Sequence, residues 1–200
     1  AFNNSIEYVL VEISELENFK EKKIVVAANL LNSIVKSCSI ENFKILKKFN
    51  GSEFTGTICK HPFETLGYNF DVPMLEAGFV TLEQGTGIVH CAPSHGPDDF
   101  NLCLKHNIPS KYTVDNSGYY TDEIPYFVNT HVFKADPIVI DKLKEVKKLL
   151  KNDKLQHSYP HSWRSKAPLI YRATPQWFIS MEKKSLRNKA IKAIGDTTFY

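Results

Sequence analysis

Short runs of β-branched and aromatic residues, separated by turn-forming clusters, recur through the first half of this 200-residue chain. Side chains of these types favour strands because they pack well against their neighbours on a pleated surface. The first half therefore predicts a mostly β core, in which helices interrupt the strands rather than alternate regularly with them. The runs are SIEYVLVEI, KIVVA, FKILKKF, SEFTGTICK and GFVTL.

Apolar residues at helical spacing predict four helices. The first spans about residues 28–37, the second begins at Pro97, the third has Asp136 as its cap, and the fourth spans about residues 181–194. Proline suits the first turn of a helix, where its missing N–H would have no partner in any case. The positions expected to face the core are Leu30, Leu31, Ile34, Val35, Phe100, Cys103, Leu104, Val139, Leu143, Val146 and Leu150.

Two further stretches have the composition of strands. GTGIVHCAP, residues 85–93, predicts a strand that ends in a proline-bounded loop, and LIYRATPQWFIS, residues 169–180, predicts an edge strand or two short extended pieces. No repeat or internal linker separates these segments. The chain therefore predicts one α+β domain with a terminal extension.

Composition narrows the class of protein. A hydrophobic content of 42% is enough for a substantial core, and no run approaches the ~20 apolar residues that cross a bilayer. The N-terminus lacks the basic and apolar regions of a signal peptide. The four cysteines show no CxxC spacing, which indicates reduced thiols and a cytoplasmic protein.

Charge is divided unequally along the chain. Residues 1–140 carry 11 Lys and Arg against 17 Asp and Glu, whereas residues 141–200 carry 14 against 5. The basic end favours contact with a phosphate backbone, which attracts cations without regard to sequence. A solvated, lysine-rich helix explains the same charge equally well.

Four polar side chains, His90, His95, Asp98 and Asp99, lie within ten residues between a predicted strand and a predicted helix. The aspartates would be stabilised by ~0.3–1 kcal/mol at a helix N-terminus without any further role. A hydrolytic zinc site on His90, His95 and Asp99 is the alternative, although this spacing matches no usual zinc motif. A nucleophilic pair of His90 and Cys91 is disfavoured, because adjacent strand residues point to opposite faces.

Aromatic and basic residues alternate in a second segment, HSYPHSWRSKAPLIYRATPQWF, residues 157–178. Such alternation suits single-stranded RNA, since rings stack on bases while Arg and Lys contact phosphates. An aromatic core whose cations extend to the solvent is equally compatible with it.

Together, GTGIVHCAPSHGPDDF, residues 85–100, and HSYPHSWRSKAPLIYRATPQWFIS, residues 157–180, resemble the inserted editing domain of class I isoleucyl-tRNA synthetases. Shorter pieces follow in the same order, among them GSEFTG, HPF, DVPMLEAGFVTLEQGTG and VFKAD. The valyl and leucyl enzymes carry related domains, but GTGIVHCAP with HSYPHSWRS favours the isoleucyl type. The resemblance covers nearly the whole chain.

The resemblance implies a β-barrel-like core with peripheral helices. Residues 1–200 would be an editing domain, with a core over about 1–160 and a return strand and basic helical extension over 161–200. It implies no metal in the hydrolytic site and no cofactor in this domain, whereas ATP and magnesium would serve the parent synthetase.

Two residues carry the principal roles that the resemblance implies. Asp99 matches the aspartate that holds the α-ammonium of the substrate, and His90 matches the residue that walls the side-chain pocket. A charge-assisted hydrogen bond to the ammonium would fix the ester for attack by water. Asp99 is thus expected to be an anchor rather than a general base.

Further contacts are expected around these two residues. The terminal adenosine region of the tRNA would contact a tyrosine of the HSYPH segment, and nearby cations would contact the tRNA backbone. The expected substrate contacts are Thr86, Gly87, His95, Asp98 and Tyr159, and the expected tRNA contacts are Arg164 and Lys166.

The expected substrate is valyl-tRNA or valyl-adenylate, presented by the 3′ end of isoleucine tRNA. The other expected partner is the rest of the synthetase, within one monomeric polypeptide that contacts no membrane. A non-catalytic tRNA-docking fragment, a valyl-type editing domain and a metal-dependent hydrolase remain as alternatives.

The sequence departs from the family pattern in two places. A threonine-rich editing peptide of the family is expected upstream of Ala1, and activity of these 200 residues alone is therefore in doubt. Ser162 and Ser165 occupy the positions of a CWRC cysteine pair that helps some relatives to bind a structural zinc, so that zinc is not expected here.

Overall fold

The computed structural model describes residues 1–83, 85–154 and 156–198. Within these ranges, two small sheets, α-helices and short 3-10 turns make up the ordered elements, which confirms the α+β class. The sheets contain three and two strands and do not close into a barrel in the described parts of the chain. The barrel-like arrangement is therefore not confirmed.

The larger sheet is antiparallel and has the order β2-β1-β3. Strand β1 (Glu7–Ile13) pairs with β2 (Lys23–Ala27) on one side and with β3 (Phe43–Asn50) on the other. Tyr8 and Val9 point to opposite faces and are both buried, because the chain covers the centre of β1 from both sides. These three strands were predicted from sequence.

The smaller sheet pairs β4 (Ile58–Lys60) with β5 (Asp71–Pro73). The prediction of one strand through SEFTGTICK is therefore only partly right, since Gly51–Phe54 form a 3-10 turn. A Cβ atom at Gly51 would lie 2.0 Å from the carbonyl oxygen of Asn3, so only glycine fits at this turn. The predicted strand GFVTL is wrong as well, because its first residues form a turn.

Four helices lie where the sequence predicted them. Helix α1 (Leu31–Ser37) follows a 3-10 turn, and α2 (Pro97–Lys105) begins at its proline. Helix α3 (Ala135–Glu145) and helix α4 (Leu186–Gly195) each follow a 3-10 turn. Left-handed backbone at Ser185 delays the start of α4 relative to the prediction.

Two details of the predicted helices are wrong. Helix α2 buries Leu102 and Cys103, whereas Phe100 and Leu104 are exposed by 39% and 61%. Asp136 lies inside the first turn of α3 rather than at its cap, because the preceding 3-10 turn already leads the backbone into the helix.

Apolar side chains form two clusters. The larger cluster joins the three-stranded sheet and α1 to Phe54, Val80 and Leu102. The smaller one consists of Phe63, Tyr68 and Phe127, against which the predicted inner face of α3 packs. Each fully buried large side chain of this kind contributes about 1.5–3 kcal/mol through removal of apolar surface from water. Ile88 and Cys91, on the loop of residues 85–96, pack against the larger cluster.

The predicted strand over residues 85–93 does not form. Gly85 and Gly87 both have φ of 75°, a left-handed conformation that interrupts the pleat of a strand. The segment instead makes single backbone contacts: Ala27 N–H donates to Thr86 O at 2.8 Å, and Val89 N–H donates to Ala1 O at 2.9 Å. It is an extended loop fastened to the edge of the sheet.

Residues 169–180 do not form the predicted edge strand. The backbone of this segment pairs with a different partner at each point, since Leu169 N–H donates to Pro160 O and Ala173 N–H donates to Ser94 O. The predicted division of the chain near residue 160 stays a prediction. In the described ranges, no helix is both long enough and apolar enough to cross a membrane.

Candidate functional site

Residues of the large sheet hold the loop that carries Thr86 and Gly87. The buried hydroxyl of Tyr8 donates to Gly87 O at 2.7 Å, and burial raises the pKa of this phenol. A Cβ atom at Gly87 would lie only 2.5 Å from the Cβ of Ala27, so the loop touches the end of β2 directly. The loop is thus held through backbone atoms, and the Thr86 side chain bonds only to Ile88 within the described residues.

Asp99 is the third residue of α2 and turns back towards the preceding loop. Its Oδ2 accepts a hydrogen bond of 2.9 Å from the backbone N–H of Ala92. The Cys91 thiol also contacts this carboxylate. A carboxylate can accept about four hydrogen bonds, so Asp99 can still accept one from a donor on a ligand. The start of a helix favours a carboxylate because the helix dipole is positive there. Asp98, by contrast, is exposed.

Cys91 lies beside Asp99 but is not an activated nucleophile. Burial raises the pKa of its thiol, and the nearby carboxylate of Asp99 acts in the same direction, although the amino group of Ala1 opposes them. A thiol must lose its proton to attack an ester. The neutral form is therefore favoured at neutral pH.

His90 is exposed at the outer part of the loop and lies near a second histidine, His61. The ring of His61 stacks on Tyr68 with centroids 4.6 Å apart, and its Nδ1 accepts from Phe63 N–H at 3.0 Å. Burial lowers the pKa of His61, and the charge of His90 lowers it further. Sequence reasoning noted the HPF segment but gave His61 no role.

The lowered pKa of His61 predicts how stability depends on pH. In the unfolded chain the pKa of a histidine is about 6.5. Because the folded chain binds this proton more weakly, the His61 contribution to stability is fully present above that pH. It is lost as the pH falls further, through the lower pKa that His61 has in the folded chain. We expect the urea midpoint to fall on acidification, and the His61→Phe variant to show a weaker fall. Identical pH profiles for the two proteins would contradict this.

His95 fastens the loop to two distant segments. One ring nitrogen, Nδ1, lies 2.9 Å from Tyr171 O, and the other, Nε2, lies 2.8 Å from Thr113 Oγ1. Both nitrogens are thus already in use within the protein. A zinc site on His90, His95 and Asp99 would need one of them, and among the described residues no three His, Cys, Asp or Glu side chains form a group that could hold a metal.

Residues 157–170 fold into a hairpin that carries the remaining predicted residues. Ser162 N–H donates to Ala167 O at 2.9 Å, which closes the turn, and the Tyr159 hydroxyl donates to Leu169 O at 2.7 Å. At the tip, Trp163 is 78% exposed. The Arg164 guanidinium lies 5.1 Å from the Trp163 ring centre, and Lys166 is exposed beside it.

A cavity of about 660 Å³ lies between this hairpin and the segment of residues 113–136. Of the residues predicted for the site, His95 and Tyr159 line it within the described chain, whereas Thr86, Gly87 and Asp99 belong to the loop on the sheet side. The cavity was not predicted, because the residues of its walls come from segments that are far apart in sequence. The lining residues are His95, Val114, Tyr120, Val132, Phe133, Asp136, Tyr159, His161, Pro168, Ile170 and Tyr171.

The chain belongs to the family described as leucyl-tRNA synthetase, editing domain, whose profile matches residues 7–152. Isoleucine–tRNA ligases are among its curated relatives. The ligase of Pelagibacter ubique (strain HTCC1062) is 64% identical over 200 residues, which are 100% of this chain and 22% of the relative.

A second relative is more distant. The isoleucine–tRNA ligase of Francisella tularensis subsp. novicida (strain U112) is 44% identical over 199 residues, which cover 100% of this chain and 20% of the relative. The chain thus spans about a fifth of the length of the curated relatives that it matches. These similarities confirm the resemblance that the two long motifs indicated.

Proposed function

We propose that this chain is the editing domain of an isoleucine–tRNA ligase and that it hydrolyses the ester of valine wrongly joined to isoleucine tRNA. The observation that carries the proposal is the carboxylate of Asp99. One oxygen accepts from Ala92 N–H at 2.9 Å, and beyond this bond and the contact with the Cys91 thiol the carboxylate can accept further hydrogen bonds. A carboxylate held in this way suits the α-ammonium group that every aminoacyl ester presents.

The reaction would proceed by positioning rather than by covalent catalysis. Asp99 anchors the ammonium, and Thr86 and Gly87 border the ester on the sheet side. Water then attacks the ester carbonyl, and the ribose hydroxyl leaves as the alcohol while the amino acid departs with a free carboxyl group. Holding the reacting groups in place lowers the barrier because the entropy of bringing them together is already lost.

Selectivity for valine would come from the limited volume of the side-chain pocket. His90 walls the side-chain pocket, so that valine enters and isoleucine clashes through its additional methylene. This second selection step is needed because one methylene in an apolar pocket changes the binding free energy by only ~1–3 kcal/mol. The isoleucyl enzymes are the standard example of this limit. His95 and Asp98 would make further contacts with the substrate, and Tyr159 would contact the terminal adenosine region.

The test compares two aminoacyl esters on the same tRNA. The purified full-length ligase should deacylate valyl-tRNA at least roughly 10-fold faster than isoleucyl-tRNA, as expected for rejection of one methylene. In the His90→Ala variant the pocket is larger, and isoleucyl-tRNA should become a substrate. Equal rates for the two esters in the wild-type enzyme would contradict the proposal.

The basic end of the chain favours a tRNA-docking role beside hydrolysis. The hairpin tip with Arg164 and Lys166 is exposed, and residues 141–200 carry the excess of positive charge. In this proposal these cations hold the 3′ end of isoleucine tRNA, whereas the rest of a monomeric, cytoplasmic ligase supplies synthesis with ATP and magnesium. The barrel-like core that the resemblance implies belongs to the same proposal.

A further inference from the structure

Aromatic rings line much of the cavity beside the hairpin. Tyr120, Phe133, Tyr159 and Tyr171 contribute to its wall, and the last three are exposed by 50%, 41% and 53% respectively. A volume of about 660 Å³ is typical of a site for a small organic ligand. Partly exposed aromatic rings around such a space are suited to stacking on a nucleobase.

Two of the polar residues that line this space, Asp136 and His161, offer hydrogen-bond acceptors. Asp136, in the first turn of α3, contributes a carboxylate. His161 Nδ1 lies 2.8 Å from Tyr159 O and must carry the proton of that hydrogen bond, so Nε2 of the neutral ring is an acceptor. The two nitrogens of His95 are already bonded to the protein. A ligand group that contacts Asp136 or His161 Nε2 must therefore supply a donor.

Among the bases of RNA, this requirement separates cytosine from uracil. Cytosine presents an exocyclic amino group at the position where uracil presents a carbonyl oxygen. A carboxylate accepts a hydrogen bond from the amine and repels the carbonyl. The unpaired 3′ end of a tRNA has the sequence C-C-A, so two amine-bearing pyrimidines precede the terminal adenosine.

We propose that this cavity binds a cytosine that precedes the terminal adenosine of the tRNA, with its amino group on Asp136 and its ring against Phe133. The inference rests on the proposed function in taking tRNA as the source of the base. Arg164 and Lys166 lie at the tip of the hairpin that also carries the cavity residues Tyr159 and His161. These two cations bind the phosphates on either side of the cytosine. The cavity is thus a subsite for the single-stranded 3′ end of the tRNA rather than for the amino acid.

The binding test uses two trinucleotides that share the terminal adenosine, CCA and UUA, with the full-length ligase. We expect CCA to bind roughly tenfold more tightly, as for one hydrogen bond to a charged group. Asp136→Asn should abolish the preference, since an amide can donate to uracil as well as accept from cytosine. Asp141→Asn, on the exposed side of the same helix, should retain it.

A second variant separates stacking from amine recognition. Phe133→Ala removes a half-exposed ring, so the fold should tolerate the change, and it should weaken CCA and UUA several-fold alike, because base stacking is tolerant of sequence. Equal binding of CCA and UUA by the wild type, or a preference that survives Asp136→Asn, would overturn the proposal.

A kinetic measurement distinguishes this inference from the proposed function. With valyl-tRNA as substrate, Asp136→Asn should lower kcat/KM several-fold through a higher KM, whereas Asp141→Asn should match the wild type. An enzyme that deacylates no valyl-tRNA would disprove the proposed function, yet the trinucleotide comparison would still decide whether the cavity selects cytosine.

Discussion

The Asp99→Asn variant of the full-length ligase should lose valyl-tRNA deacylation by roughly 100-fold or more in kcat/KM, as expected when a charge-assisted contact and the orientation that it gives are both lost. Asparagine retains an oxygen that accepts the hydrogen bond from Ala92 N–H, so the start of α2 should stay in place. What disappears is the negative charge that holds the substrate ammonium. The loss would therefore be chemical rather than structural.

Single-turnover deacylation of preformed valyl-tRNA measures this effect directly. Asp122→Asn, an equivalent change at an exposed position on another turn, serves as the matched control and should leave the rate as in the wild type. Thermal unfolding of both variants checks that neither has lost its fold. Deacylation at the wild-type rate by Asp99→Asn would remove Asp99 from the site.

Gly87→Ala should produce the second large effect, a loss of about 3 kcal/mol in the free energy of unfolding. The new methyl group would lie 2.5 Å from the Cβ of Ala27, and the residue would retain a φ of 75°. Left-handed backbone costs a non-glycine residue roughly 1–2 kcal/mol, and forcing an extra carbon into a packed site costs typically 1–3 kcal/mol. Urea unfolding of the 200-residue chain provides the measurement.

Gly85 offers a closely matched control for this substitution. It has the same φ of 75°, but a Cβ atom there would meet nothing within 4 Å. Gly85→Ala should therefore show only the backbone cost, about 1–2 kcal/mol. The difference between the two variants isolates the contact of the loop with β2, and equal losses would show that this contact is unimportant.

Helices were more predictable from this sequence than strands. Pro97 and the apolar spacing of α3 are local signals, and both helices form where those signals lie. The stretch of residues 85–93 has the composition of a strand but two glycines with positive φ. Composition reports which side chains suit a sheet, whereas only the folded chain shows whether a neighbouring strand is present to pair with them.

The positions of the candidate site residues were predictable only where the signal is local. The helix that begins at Pro97 was predicted, and Asp98 and Asp99 lie in its first turn. Thr86 and Gly87 lie on a loop where a strand was predicted. The contacts of His95 with Thr113 and Tyr171 join its loop to two segments that are 18 and 76 residues away, and no local pattern encodes such contacts. The proximity of His61 to His90 was missed for the same reason.

The two hydrogen bonds of the His95 ring couple the loop before Asp99 to the segments that line the cavity. This ring spans the loop that leads to Asp99 and the segment that lines the cavity, so a ligand that displaces Tyr171 must also alter the energy of that loop. Cooperativity between two binding events is reciprocal. A nucleotide in the cavity would change the affinity for the amino acid by the same factor by which the amino acid changes the affinity for the nucleotide.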